Sequence, residues 1–456
     1  MALNLEGIVD LNANLLTGPI RPQLIRMTLT LMVGMLTMMS FNLLDTWFVA
    51  RLGTASLAAI SFTFPITFSL ISLTIGMSVG TSAILGRYLG QGRIEEAKRK
   101  ASAALLGAFG FMVLGGGGGL LWSEPLFVAM GADRQALPLI LSYMSIWFSG
   151  CGLLAVSMVG NAIFRAFGNT RVPSAIMVAA SLVNAVLDPL LIFGLGPFPA
   201  LGIQGAAIAS LLSWGCGCGL MLWMLGIRYR LLSWRQVIAH GAGDGRELLL
   251  IALPAALANM LTPLATGLLT AFVARYGQEA VAAYGVGGRL ESMACLFILS
   301  LSMSLPPFIS QNGGAGQLSR VADAYRISLQ LVLAIQLLLY LLLVLASPWL
   351  APAFSEEPQV QRLLMQYLWI LPLGYGLQGV VILTCSSLNA LHQPRLAFAL
   401  SLLRFFGLFV PLSSLLGYGF GLSGLFVGGV VANLLCACLA YLWFNSTLRR
   451  LSLESV

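Results

Sequence analysis

Charged side chains are scarce in this chain. They make up 9% of its 456 residues, whereas a typical soluble domain has about 25%. Hydrophobic residues make up 58% and the mean hydropathy is +0.91, so the charges are too few to cover a water-exposed surface of this size. The composition excludes a soluble protein and predicts an all-α protein with many membrane spans.

Histidine and cysteine are also sparse. The only histidines are His240 and His392, so we expect no metal site and no cofactor. The seven cysteines lie in apolar runs, and their odd number and their spacing argue against a disulfide framework. They form no pair of C-x-x-C motifs that could hold zinc. An intramembrane enzyme would need paired acids or a histidine cluster, so we expect no enzyme. The net charge of +8 lies in loops between apolar runs, and we therefore expect no nucleic-acid partner.

Apolar runs of about 20 residues, the length that crosses a bilayer, recur along the whole chain. They predict twelve transmembrane helices, with these extents: 24–50, 55–82, 101–123, 137–160, 172–195, 203–227, 247–273, 281–309, 324–346, 360–386, 396–417 and 421–445.

Positive charges in the loops predict the orientation of these helices, because loops on the cytoplasmic side carry an excess of lysine and arginine. The loops on the side of the termini carry most of them, at Arg21, Arg26, Arg87, Arg93, Lys98, Arg99, Lys100, Arg165, Arg171, Arg228, Arg230, Arg235, Arg246, Arg320, Arg326, Arg395, Arg449 and Arg450. The opposite side carries only Arg51, Arg134, Arg275 and Arg362. We therefore expect both termini to be cytoplasmic, in a bacterial inner membrane.

The two halves of the sequence repeat each other. Residues 44–59 match 268–283 at a shift of 224, and the GNTRVP segment of residues 168–173 aligns with residues 392–397 at the same shift. The repeat unit contains six helices, so both units have the same orientation. Parallel repeats of this kind are a transporter architecture. We predict a first lobe over residues 1–227, a cytoplasmic linker over 228–246 and a second lobe over 247–456.

An acidic residue inside a span is costly, and its presence there indicates a function. Asp188 lies deep in the fifth predicted span, with Asn184 one turn before it on the same helical face. Pro189 removes a backbone donor and frees a carbonyl one turn back. An acid, an amide and a free carbonyl on one face predict a polar site that can take up and release a proton. A purely structural hydrogen-bonding node is the alternative.

Asp45 lies toward the outer end of the first predicted span and is the second candidate for ion coupling. The same face of the helix carries Asn42, Phe41, Met38 and Met35, which we predict to line a substrate cavity. Methionine suits a pocket that accepts many apolar shapes. The alternatives are an acid at the membrane interface and methionines that only pack between helices.

Three further polar residues in the spans are candidates. Tyr143 and Asn161 of the fourth predicted span could face the same cavity as the acids, and the alternative for each is a residue that only packs or links helices. Glu291 follows Arg289 too closely for the two to face each other on a helix, so each is expected to pair with another residue. Glu291 is predicted to form a structural ion pair or gate, and the alternative is a coupling site that lines the cavity. The repeat counterparts of Asp45 and Asp188 are Leu269 and Leu412, which assigns the coupling chemistry to the first half.

Three motifs resemble those of one transporter family. NLLDTWFVARLG in the first span, FRAFGNTRVP before the fifth and NAVLDP within it resemble the multidrug and toxic compound extrusion (MATE) transporters, and they favour the DinF-type branch. The resemblance implies a central cavity with alternating access, and exchange of cationic, often aromatic compounds for protons or sodium. It also implies a site in the first lobe formed by Asp45, Tyr143, Asn161, Asn184 and Asp188.

The chain departs from the family pattern at two positions. A proline that helps the first span to bend is replaced by Thr30, and a tyrosine before the span's aspartate is replaced by Phe41. The two replacements affect the predicted bend of the first span and one hydrogen bond of the site.

The glycines at 115–119 are expected to allow close helix approach or a kink.

These observations predict a monomeric, proton-coupled antiporter of cationic amphiphilic compounds. One alternative is sodium coupling, with the ion held by Asp45, Asn184 and Asp188. The other is a lipid exporter or flippase of the same superfamily, against which stands the small number of basic residues within the spans, Arg289 and Arg404.

The predicted orientation can be tested with reporter fusions. A fluorescent protein that matures only in the cytoplasm should fluoresce when fused after Val456, and a periplasmic phosphatase should be active when inserted at Arg134. The reverse pattern would contradict the orientation derived from the loop charges.

Overall fold

The computed structural model describes residues 15–132, 136–233 and 237–454, and throughout this part of the chain the regular structure is helical. The helices are α1 (Ile20–Ala50), α2 (Thr54–Gly90), α3 (Ile94–Ala129), α4 (Ala136–Ala166), α5 (Arg171–Phe193), α6 (Ile203–Trp223), α7 (Val237–Val273), α8 (Gln278–Ala294), α9 (Leu296–Gly314), α10 (Leu318–Phe354), α11 (Pro358–Ile370), α12 (Tyr375–Ala390), α13 (Pro394–Leu402) and α14 (Val410–Glu454). Helices are expected because hydrocarbon leaves backbone groups no partner outside the segment itself.

The twelve predicted spans are recovered when bends are counted. Ten stretches of the described chain are long and apolar enough to span a membrane, and α8 with α9, bent by 41°, form one more. The last of the ten covers 60 residues, Pro394–Leu453, about 90 Å if it were one straight helix. Gly421 breaks it with a non-helical backbone (φ 69°), so this stretch provides two spans. The predicted fold class is confirmed.

The described chain divides into two compact units. One contains Thr30–Ala256 and the other contains Leu15–Leu29 with Leu257 onward. Each division falls inside a long helix, α1 or α7, and not in a loop. The lobe boundaries predicted from the sequence, at residues 227 and 246, remain a prediction.

The sequence repeat is visible in the backbone of the turns. Gly53 (φ 106°) before α2 and Gly277 (φ 105°) before α8 have nearly the same conformation, which a residue with a Cβ adopts at a cost. The same shift of 224 relates Gly168 (φ 80°) to His392 (φ 59°). His392, therefore, occupies a position where its repeat counterpart is glycine.

Helix contacts repeat as well. In one unit the Thr28 hydroxyl on α1 lies 2.8 Å from the Ser304 hydroxyl on α9. In the other unit the corresponding residues of α7 and α2 are Ala252 and Gly80, and a Cβ on Gly80 would lie 3.3 Å from the Ala252 nitrogen. The two repeats therefore use the same helix crossing, with a hydrogen bond in one and backbone approach in the other.

The glycine run in α3 is explained by close helix approach. A Cβ on Gly116 would overlap the carbonyl oxygen of Phe148 on α4, and one on Gly119 would overlap its ring, whereas Gly117 and Gly118 face open space. Arg165, predicted to lie in a loop, instead belongs to the last turn of α4, where it is buried.

Gly76 provides a test of this packing. A Cβ there would overlap the Ala252 carbonyl of α7, so Gly76→Ala should lower the free energy of unfolding by about 1–3 kcal/mol. Gly110→Ala is the matched control, because a Cβ at Gly110 meets nothing within 4 Å and alanine favours the helix by up to about 1 kcal/mol. Thermal unfolding in detergent should show a lower midpoint for the first variant alone. Equal midpoints would contradict the packing.

Candidate functional site

Helices α1 and α5 run side by side in the same direction. In the first half of each helix, the Ser174 hydroxyl donates to the Thr30 carbonyl at 2.7 Å. A Cβ on Gly34 would lie 2.8 Å from that hydroxyl. At the other end, the rings of Phe48 and Phe193 are 6.0 Å apart. These contacts fix the register of the two helices along most of their shared length.

This register brings the two predicted carboxyl groups to one level. At 1.5 Å per helical residue, Asp45 lies about 22 Å beyond Thr30 and Asp188 about 21 Å beyond Ser174. The two acids are close enough to interact electrostatically. The structure therefore brings together side chains that are far apart in the sequence.

Asp188 is buried, with 1% of its surface exposed. Its Oδ1 accepts a hydrogen bond from Asn184 Nδ2 at 3.2 Å, the contact that the one-turn spacing predicts. Pro189 lies inside α5 and supplies no amide hydrogen, so the Ala185 carbonyl lacks its usual helical donor. Acid, amide and carbonyl therefore lie on adjacent turns, as expected from the sequence.

Asp45 has a different environment. Its Oδ1 is buried and has no hydrogen-bond partner among the described residues, which is costly for a carboxyl oxygen unless it binds a proton or an ion. Tyr143 of α4 interacts electrostatically with both acids and packs against a small cluster of Val49, Ile192 and Ala206. Tyr143 therefore belongs to the carboxyl cluster.

The remaining predicted residues lie at different distances from this cluster: Asn161 lies far from it, and Met35, Met38 and Phe41 lie one to three turns before Asp45 on α1. Asn161 is on the same helix as Tyr143 but about 27 Å farther along its axis, and its Oδ1 is buried without a partner in the described part of the chain. Met35 is buried, Met38 is 41% exposed and Phe41 is intermediate. The side chain of Asn42 is outside the described set.

Thr30 does not interrupt its helix, since α1 is continuous from Ile20 to Ala50. Its carbonyl is held by Ser174, and the division between the two units falls immediately before it. A proline at this position would remove the Thr30 amide from the helix. The predicted departure from the family pattern therefore lies at the boundary between the units.

Glu291 lies in the other unit, on α8. Its Oε2 accepts from the Tyr367 hydroxyl and its Oε1 from Gln378 Nε2, each at 3.2 Å. Sequence reasoning missed both partners because they come from helices far along the chain, and a neutral donor in an apolar span gives no distinctive pattern. Arg404, noted in the sequence as a charge within a span, interacts electrostatically with Glu291.

Comparisons with known proteins agree with this architecture. A family model described as MatE matches residues 31–190 and 254–415. The chain is 43% identical to a FAD transporter of Shewanella oneidensis over 94% of this chain and 95% of that one. It is 24% identical to the multidrug export protein MepA of Staphylococcus aureus, over 93% of each.

A solved structure also matches nearly the whole chain. The Vibrio cholerae MATE transporter VcmN in the bent form superimposes with a TM-score of 0.91 at 32% identity, covering 95% of this chain and 98% of that one. The family model covers both repeats, and the structural match covers nearly all the spans. The chain belongs to the MATE family of membrane transporters and is therefore a transporter and not an enzyme.

Proposed function

We propose that this protein is a secondary active exporter that exchanges its substrate for protons by alternating access. The observation that carries the proposal is the pair of carboxyl groups at one level of α1 and α5. Asp45 has a buried oxygen with no hydrogen-bond partner in the described part of the chain, and Asp188 is held by a neutral amide. Such groups can accept a proton, whereas an acid in a strong ion pair would remain charged.

The exchange follows from the cost of burying charge. Protons that enter from outside neutralise Asp45 and Asp188 and remove the electrostatic attraction for a cationic substrate, which then leaves. Release of the protons to the cytoplasm restores the negative charges and the attraction. One proton moving down a potential of 100 mV supplies about 2.3 kcal/mol, and export of a monovalent cation against the same potential costs as much. Two protons per cycle, or one proton with a pH gradient, therefore support net export. The orientation is that inferred from the loop charges, with cytoplasmic termini in a bacterial inner membrane.

Two substrate classes have separate support. Cationic aromatic compounds suit an acidic pair that alternates between charged and neutral states, and several multidrug exporters are relatives at 24–26% identity. A flavin dinucleotide is favoured by the relative named as a FAD transporter, at 43% identity over 94% of the chain. Both classes contain a planar aromatic ring system and differ in charge.

Sodium is the alternative coupling ion. Its preferred ligands are oxygens, and Asp45, Asp188 and the amide of Asn184 could supply them. The Asn184 amide nitrogen donates to Asp188, which leaves the amide oxygen available for an ion. The proton is favoured because a carboxyl oxygen without a partner in the described residues, as in Asp45, can be neutralised by a proton without further ligands.

Transport in proteoliposomes tests the function. Ethidium and FAD should be offered separately, under a pH gradient alone and under a sodium gradient alone. We expect flux of at least one compound driven by the pH gradient. Flux driven only by sodium would contradict proton coupling, and lack of flux for both compounds would favour a lipid-like substrate.

Asp188→Asn tests the carboxyl pair. The amide keeps the shape but cannot bind or release the coupling proton, so we expect gradient-driven flux to fall by at least about 100-fold while the protein still reaches the membrane. Glu357→Gln, at an exposed acid just before α11, is the control and should transport normally. Full activity of Asp188→Asn would contradict the mechanism.

Asn184→Leu tests the hydrogen bond to Asp188 without changing any charge. Loss of this donor leaves a carboxylate oxygen without its partner, a cost of about 1–3 kcal/mol, so we expect flux to fall about 5- to 100-fold and its pH profile to move. Leu182→Ala, an exposed position on the same helix, serves as the control. An unchanged pH profile for Asn184→Leu would show that this bond plays no part in coupling.

A further inference from the structure

Three interruptions of regular helix lie near one another in the unit that contains Glu291. The α8–α9 pair is bent by 41° at Cys295, one turn after Glu291. A 3-10 turn, Leu371–Gly374, separates α11 from α12, and a π-helical stretch, Leu403–Phe409, follows α13. Irregular backbone at membrane depth is tolerated where it lines a polar site, and π-helical turns are frequent at functional sites.

The side chains beside these interruptions surround Glu291. Tyr367 precedes the 3-10 turn and Gln378 follows it, and each donates one hydrogen bond to a different oxygen of Glu291. A tyrosine hydroxyl and a glutamine amide can each donate to an ionised carboxylate, and the oxygen of either can accept from a protonated one. These neutral partners therefore fit both charge states of the acid.

Arg404, in the π-helical stretch, supplies the positive charge of this group. It is 7% exposed, and its Nε donates to Asn433 Oδ1 at 3.3 Å. Among the described residues no ion pair within 4.0 Å joins it to Glu291, although the two interact electrostatically. The anion and the cation are thus held apart, each by its own neutral partners, and neither is locked in one charge state by direct contact.

A neutral side chain also holds the bend that follows Glu291. Gln336 of α10 donates through Nε2 to the Ala294 carbonyl at 2.9 Å, and its Oε1 is buried without a partner among the described residues. The titratable and charged groups that interact with Glu291 are Tyr284 of α8, Cys295 at the bend, Tyr367 of α11, Tyr375 of α12 and Arg404.

This group does not derive from the repeat of the carboxyl pair. The counterparts of Asp45 and Asp188 are Leu269 and Leu412, and the counterparts of Glu291 and Arg404 in the first repeat are Thr67 and Ala180. A carboxylate and a guanidinium have therefore been placed in this unit at positions where the other unit has no charge. Charged side chains inside a span are costly in free energy, and packing alone does not offset this cost.

We propose that Glu291 is a second proton-binding group, in a different unit from Asp45 and Asp188, and that it exchanges its proton during transport. The inference rests on the proposed proton coupling. The added proton bonds to Oε1 of Glu291, and the Gln378 amide turns so that its oxygen accepts that proton, while Tyr367 continues to donate to Oε2. Protonation leaves Arg404 as the only formal charge of the group, which opposes a bound cation and favours its release.

Infrared difference spectroscopy of the full-length protein in lipid tests the proposal directly, because it observes protonated and ionised carboxyl groups without requiring transport. We expect a pH titration to show a carboxyl signal that is missing in Glu291→Gln and retained in Glu279→Gln, which removes an acid from the first turn of the same helix. An unchanged signal in Glu291→Gln would overturn the proposal.

Tyr367→Phe provides a second measurement if Glu291→Gln does not fold. It keeps the ring and removes one donor to Glu291, so one titrating carboxylate band of the wild type should shift in frequency while its area stays the same, and that shift assigns the band to Glu291. Absence of any shift would show that this carboxylate is not the titrating group.

Proton counting separates this proposal from the function on which it rests. Substrate binding to the purified protein should release about one proton fewer in Glu291→Gln than in the wild type. If Asp188→Asn transports normally, the proposed coupling fails whatever the spectra of Glu291 show. If Asp188→Asn is inactive and Glu291→Gln releases as many protons as the wild type, only the second proton site fails.

Discussion

The cost of placing charge in hydrocarbon is the constraint on which the rest of this structure depends. It keeps most charges out of the spans, and four of those that remain form two groups. Asp45 and Asp188 lie level on parallel helices of one unit, and Glu291 and Arg404 lie among neutral donors in the other. Each group combines an acid with uncharged amide or hydroxyl partners, so the charge on the acid can change at a moderate cost.

Close helix packing gives these groups their fixed positions. Glycine on α2 and α3 lets backbones approach where any larger residue would overlap a carbonyl oxygen. The contact between Ser174 and the Thr30 carbonyl sets the register of α1 against α5, and that register determines the level at which Asp45 meets Asp188. A shift by one turn would move Asp45 by about 5.4 Å and separate the pair. The proposed coupling therefore depends on packing more than about 20 Å away along the same helices.

Much of this could be predicted from the sequence. Spans follow from apolar runs, the repeat from matched segments, and the contact between Asn184 and Asp188 from their one-turn spacing. The register of α1 against α5 could not be predicted, because one serine hydroxyl and one backbone carbonyl set it. The partners of Glu291 were missed for a related reason: tyrosine and glutamine are ordinary residues until the fold brings them to a carboxylate. Asn161 was assigned to the same predicted site from the family resemblance, and helical rise puts it about 27 Å from Tyr143 along α4.

Proton antiport requires substrate and protons to move in opposite directions through the same protein, and reverse coupling tests this most directly. Substrate would be added outside proteoliposomes with no imposed gradient, with the membrane potential held at zero by potassium and valinomycin, and a trapped dye would report the internal pH. Substrate entering down its own gradient should drive protons out and make the interior alkaline, and Asp188→Asn should show no such change. Substrate entry with no change in internal pH, or with acidification, would contradict proton antiport.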